Sequence, residues 1–113
     1  MVKIEIVESL YIEIEKKFKG EGHKILDLIQ TLEENPKKGK ILGSVGGIVI
    51  KELKYKNFRF YFLADGFKLK FYSQVELTDL LLRYVRMSDK KHQAETIKEI
   101  KEILLKIGPE GFK

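Results

Sequence analysis

Lys51, Lys54 and Arg59 follow one another closely, Arg86 and His92 come later, and no cysteine or rich histidine set competes with them. Residues of these types can cleave RNA without a metal. The ribose 2′-OH is an internal nucleophile already held near phosphorus, so a protein need only orient it and neutralise the phosphorane. Arg59 and Arg86 are the candidates for that neutralisation, because a guanidinium stays charged and grips phosphate bidentately. A lysine crowded by other cations has a lowered pKa and can serve as general base. For any one of these residues taken singly, an ordinary surface lysine or half-exposed strand arginine is the commoner reading.

Around this set lie groups suited to holding an RNA backbone: Lys37, Lys38, Lys40, Lys56, Tyr61, Lys68, Lys70, Arg83, Lys90 and Lys91. Their distribution is uneven. Met1 to Asn35 carries five Lys against eight Asp/Glu, net −3. Pro36 to Tyr72 carries nine basic and two acidic residues, net +7, and Ser73 to Lys113 is close to neutral at +1. Basicity confined to the middle third is the footprint of a localised polyanion site. Only three of the 22 basic residues are arginine, and Arg59, Arg83 and Arg86 fall in one short stretch.

Other chemistries find no support. The two histidines, His23 and His92, have no metal-ligand spacing, and no HExxH or DxD motif is present. Gly43-Ser44-Val45-Gly46-Gly47 is glycine-rich but precedes a strand, so it lacks the strand–loop–helix setting that cradles phosphate. The reading therefore requires no cofactor and no metal. No apolar run reaches the roughly 18 residues of a membrane span, and the alternating N-terminus resembles neither a signal nor a transit segment. With no cysteines to form disulfides, a cytoplasmic location is expected, without membrane contact.

The elements that must position these groups read as follows. Val2 to Val7 alternates as a strand, and a polar helix is expected over Ser9 to Lys19. Gly22 to Glu34 forms an amphipathic helix with Ile25, Leu28, Ile29 and Leu32 on one side, ending before Asn35-Pro36. Pro36 to Gly47, with four glycines and three lysines, reads as a mobile basic loop. Ile48 to Lys54 is a buried strand. Phe58 to Phe62 alternates, phenylalanines one way and Arg59 and Tyr61 the other. Asp65-Gly66 signals a hairpin turn into a strand Phe67 to Phe71, with Lys68 and Lys70 on its open side. After a loop, Leu80 to Met87 is a strand. A last helix runs from about Lys91 to Lys106, with Ala94, Ile97, Ile100, Ile103, Leu104 and Ile107 inward. The expectation is one α+β domain over residues 1–113: an N-terminal strand and helical hairpin on a mainly antiparallel sheet of four to five strands, closed by a C-terminal helix. Arg59, Tyr61, Lys68 and Lys70 would then share a face left to solvent or ligand.

Several segments together resemble the RelE/ParE toxin superfamily, in its phage-derived HigB-like branch. They are Glu34-Asn35-Pro36, Gly39-Lys40-Ile41-Leu42-Gly43, Ile50-Lys51-Glu52-Leu53-Lys54 and Phe58-Arg59-Phe60-Tyr61-Phe62, then Tyr84-Val85-Arg86-Met87-Ser88-Asp89-Lys90-Lys91 before the terminal helix. The match spans about residues 22–107; each motif is degenerate alone, and their order and spacing carry the likeness. The resemblance implies a RelE-like fold and a toxin of a type II toxin–antitoxin system. Such a toxin is a ribosome-dependent mRNA endoribonuclease, an mRNA interferase, leaving a 2′,3′-cyclic phosphate. It implies a cognate antitoxin, the ribosome and mRNA as partners. Arg59 matches the strand arginine assigned to the transition-state phosphate, Arg86 the second basic residue, and Lys51 and Lys54 lie near the strand lysines. The chain departs from the pattern where Arg86-Met87 replaces a Lys-Lys pair, and it lacks the C-terminal tyrosine, for which His92 is the candidate substitute as acid or base. These departures leave open an inactive or ParE-like protein of the same fold that binds a nucleic-acid-associated target.

Overall fold

The computed structural model describes residues 2–71 and 79–113, without the side chain of residue 71. The chain runs β1 (Val2–Ile6), α1 (Glu8–Lys17), α2 (Gly22–Gln30), a 3₁₀ turn (Thr31–Glu33), β2 (Lys40–Val45), β3 (Ile48–Tyr55) and β4 (Phe58–Asp65). Then follow α3 (Gly66–Phe71), β5 (Leu80–Asp89), α4 (Gln93–Lys106) and a 3₁₀ turn (Pro109–Gly111). The strands form one five-stranded sheet in the order β1-β5-β4-β3-β2. Only β1 and β5 are parallel; the other three pairs are antiparallel. This is an α+β domain with one continuous core. The expected loop after residue 71 lies, apart from Asp79, outside the described residues.

Three expectations are corrected. The basic loop of residues 36–47 contains a strand: β2 pairs with β3 from Lys40↔Glu52 to Val45↔Ile48, with a bulge between Ile41 and Gly43. Gly46 and Gly47, at φ 56° and 83°, make the two-residue turn, the left-handed geometry that fits hairpin twist. Second, Asp65-Gly66 ends a strand and opens a helix. Asp65 Oδ1 accepts a hydrogen bond from the Lys68 amide at 3.0 Å, as a helix-capping carboxylate does. Lys68 and Lys70 therefore lie on α3 and not on the sheet. Third, Ala94 and Ile107 are exposed. Ile107 lies past the end of α4, and Ile100 and Leu104 carry the buried face.

Residues directly opposite each other across a ladder share a face. The β3–β4 register puts Val49, Lys51, Leu53 and Tyr55 with Ala64, Phe62, Phe60 and Phe58 on one face. The helical hairpin covers that face; Phe18 meets the rings of Tyr55, Phe58 and Phe60. The second face carries Glu52, Lys54, Arg59 and Tyr61, and α4 lies across it through contacts from Gln93 and Glu99. A bulge in β5 skips Val85, so that Tyr61 pairs with Arg86 but Phe62 with Tyr84. Arg83 and Arg86, three residues apart, would point oppositely in a regular strand. The extra residue brings them to one face with Arg59.

Candidate nucleic-acid interface

Arg59 and Tyr61 were expected on an open face, and the structure covers both. Arg59 is 6% exposed and Tyr61 fully buried, because α4 packs where solvent was expected. Arg59 Nε lies 3.3 Å from Glu52 Oε1, and one terminal nitrogen donates to the Phe58 carbonyl at 3.2 Å. The Nε approach to Glu52 is an ion pair without hydrogen-bond alignment, leaving that buried N–H unsatisfied among the described residues. Gln93, in the first turn of α4, donates to the other Glu52 oxygen at 2.9 Å. Beside this group Tyr61 Oη and Ser88 Oγ share a 2.8 Å hydrogen bond. Burial pushes the Tyr61 phenol above its ordinary pKa.

Arg86 is on the same face as Arg59. Its Nε donates to Glu99 Oε1 at 2.7 Å, a terminal nitrogen donates to the Val85 carbonyl, and the guanidinium lies 5.0 Å from the Phe112 ring centroid. The two arginines thus have separate carboxylates. Lys51 is on the opposite face, 1% exposed, and donates to the Lys37 and Lys38 carbonyls. It cannot join Arg59 as a base there, although burial does depress its pKa. Lys54 is exposed and pairs directly with Arg59 in register. His92 is exposed at the N-cap of α4, with Nδ1 2.8 Å from Asp89 Oδ1. That hydrogen bond, with a second from the His92 amide, holds the Asp89 carboxyl below the usual carboxylate range.

The proposed RNA-binding residues divide between the two ends of the sheet. At the end bearing the β3–β4 turn lie Lys37, Lys38, Lys40, Lys54, Lys56, Lys90 and Lys91, all exposed. Topology gathers them. β2 begins at this end, β5 finishes there, and the Lys90 amide bonds the Asn57 carbonyl to tie the two turns together. Lys68 and Lys70 lie on α3, which follows the far end of β4. Arg83 is also remote, held by Glu5 Oε1 at 2.7 Å and the Pro109 carbonyl at 2.9 Å.

Two participants were missed from the sequence: Glu52, which neutralises Arg59, and Gln93, which joins that carboxylate to α4. A lone acid within a basic stretch was the signal for Glu52; nothing in the sequence marks Gln93. Among the described residues no cluster of His, Cys, Asp and Glu could hold a metal ion, and no helix is long and apolar enough to cross a membrane. No family model matches the sequence, and no curated protein or solved structure matches it significantly.

Proposed function

We propose that this chain is a RelE/HigB-like toxin, cytoplasmic and opposed by a cognate antitoxin, that engages ribosome-bound messenger RNA at the turn end of its sheet. The observation that carries the reading is the gathering of seven exposed lysines there, beside Arg59. The order of strand, helical hairpin, antiparallel strands and C-terminal helix agrees with what the sequence resemblance implies. In the reaction the 2′-OH oxygen attacks the adjacent phosphorus and loses its proton to a base. The bond to the 5′ oxygen breaks and that oxygen gains a proton, giving a 2′,3′-cyclic phosphate and a 5′-OH. Arg59 would stabilise the dianionic phosphorane, and Glu52 is the carboxylate nearest to hand as proton acceptor. For both, the first turn of α4 must lift so that Gln93 releases Glu52 and the Arg59–Glu52 pair is uncovered.

The pairing of Arg59 with Glu52 at 6% exposure favours a second reading, in which the protein binds its target without cleaving it. Induced expression without antitoxin, followed by mapping of mRNA 5′ ends, separates the two. The nuclease reading expects growth arrest with codon-phased cuts that Arg59→Ala abolishes. Arrest with intact messages sinks cleavage and leaves the binding reading. Growth unaffected by the wild-type chain removes the toxin assignment.

A further inference from the structure

Lys51 is a buried ammonium, and among the described residues it has no carboxylate partner. An unpaired buried charge is costly unless hydrogen bonds compensate for it. Here two do: Nζ donates to the carbonyls of Lys37 and Lys38, each at 2.9 Å, and lies 5.6 Å from the Phe62 ring centroid. The fixed carbonyls belong to residues whose own side chains stand in solvent. The next residue, Gly39, has φ +101°, and a Cβ there would meet the Glu52 carbonyl at 2.9 Å and the Phe62 ring at 3.2 Å. The segment is therefore held tightly from beneath before it enters β2. Above it opens a cleft of about 360 Å³ lined by Lys38, Gly39, Lys40, Glu52, Leu53 and Lys54. Its one carboxylate is already engaged by Arg59 and Gln93, so three lysines line a space with no other carboxylate among the described residues.

We propose that this cleft seats a backbone phosphate of single-stranded RNA, and that Lys51 is the positioning residue that holds Lys38 and Lys40 around it. The inference rests on the RNA reading above and deepens it. It also gives Lys51 a task that requires burial, where a catalytic lysine would have to reach substrate. Lys51 never touches the phosphate; it sets the backbone from which two of the three ammonium groups project.

The test uses the full chain and a fluorescently labelled single-stranded 12-nucleotide RNA, with affinity measured across salt. Each phosphate contact in a single strand adds about 0.7 to the slope of log affinity against log salt. Lys38→Ala/Lys40→Ala should weaken binding by about tenfold and lower that slope by roughly 1.4, for two contacts. Lys51→Met should produce a loss of the same kind, although its side chain is out of reach of RNA. The triple variant should bind no worse than the double, since residues acting as one unit are non-additive. Gly39→Ala is the second route: it removes no charge, yet should disturb the seat in the same way and keeps the test alive if Lys51→Met does not fold. Binding by Lys51→Met or Gly39→Ala at wild-type strength overturns the inference, as does a Lys51→Met loss that adds in full to the double. A wild-type chain that binds no RNA at any salt overturns the functional reading instead.

Discussion

Tyr61 and Tyr84 are both fully buried, yet among the described residues one hydroxyl has a partner and the other has none. The Tyr84 ring lies tilted at 4.8 Å from that of Phe62 while its Oη makes no hydrogen bond among the described residues, and burial drives its pKa far above the ordinary phenol value. Removing an unsatisfied buried hydroxyl relieves a desolvation cost, whereas removing one member of a pair strands the other. Tyr84→Phe should thus be neutral or stabilising by up to about 1 kcal/mol, and Tyr61→Phe should cost about 1 kcal/mol by exposing Ser88 Oγ to the same penalty. Urea denaturation of the two variants decides it; equal effects would mean that the Tyr61–Ser88 bond contributes nothing. Lys51 allows a pH prediction. Its folded pKa is depressed by burial, while the unfolded chain should titrate at about 10.4. Between those values the unfolded state binds the extra proton, so stability rises with pH in that window. Tyr61 and Tyr84 act oppositely above about pH 10, where the unfolded phenols ionise first. The difference in stability between wild type and Lys51→Met, followed from pH 7 to 10, should therefore move in favour of the wild type. A flat difference would show that the Lys51 pKa is not depressed.

The elements that could be read from the sequence are those whose periodicity matches their burial. Ile25, Ile29 and Leu32 mark the helical hairpin, Ile100 and Leu104 mark α4, and Val2, Ile4 and Ile6 mark β1. β2 was hidden because Lys40, Gly43 and a bulge interrupt its alternation. The strand expected after Gly66 failed for the opposite reason. Phe67, Leu69 and Phe71 alternate well, but the Asp65 cap starts a helix in which Phe67 is 73% exposed and Leu69 buried. The alternation of Phe58 to Phe62 suggests an open face on β4, but the neighbours of Arg59 contradict it. Residues 59–64 are all buried, and such a run belongs to a strand covered on both sides. The β2–β3 hairpin carries a prediction of its own. Around Gly47 an added Cβ would meet nothing within 4 Å, so any cost of substitution is conformational. Gly47→Val should destabilise by about 1–2 kcal/mol, while Gly46→Asn should be nearly neutral because Asn-Gly suits this turn. Thermal or urea unfolding checks both, and a tolerated valine would contradict the left-handed turn.

Across the whole molecule the chemistry is polar in the geometric sense. The chain measures 39 × 30 × 21 Å along its principal axes. β4, with eight residues, separates the lysine-rich turn end from α3 by roughly 26 Å at about 3.3 Å per residue. At physiological salt the Debye length is about 8 Å, so a charge at one end is almost unfelt at the other. The sequence placed Lys54, Lys40 and Lys68 in one basic third, but the fold assigns the first two to the turn end and the last to the far end. Total charge and local charge then make different predictions for RNA affinity. If binding follows net charge alone, Lys54→Glu, Lys40→Glu and Lys68→Glu, which change it equally, should weaken binding equally. If the turn end is the interface, Lys54→Glu and Lys40→Glu should each lose about tenfold at 0.15 M salt and flatten the salt dependence by about 0.7, the worth of one phosphate contact. Lys68→Glu should stay within about twofold and keep the wild-type slope, because screening removes its influence across the sheet. Lowering the salt to 10 mM lengthens the Debye length to about 30 Å, and the Lys68→Glu variant should then lose affinity as well. A Lys68→Glu loss at 0.15 M as large as that of Lys54→Glu would show that RNA spans the molecule, and the interface would have to be redrawn along its full length.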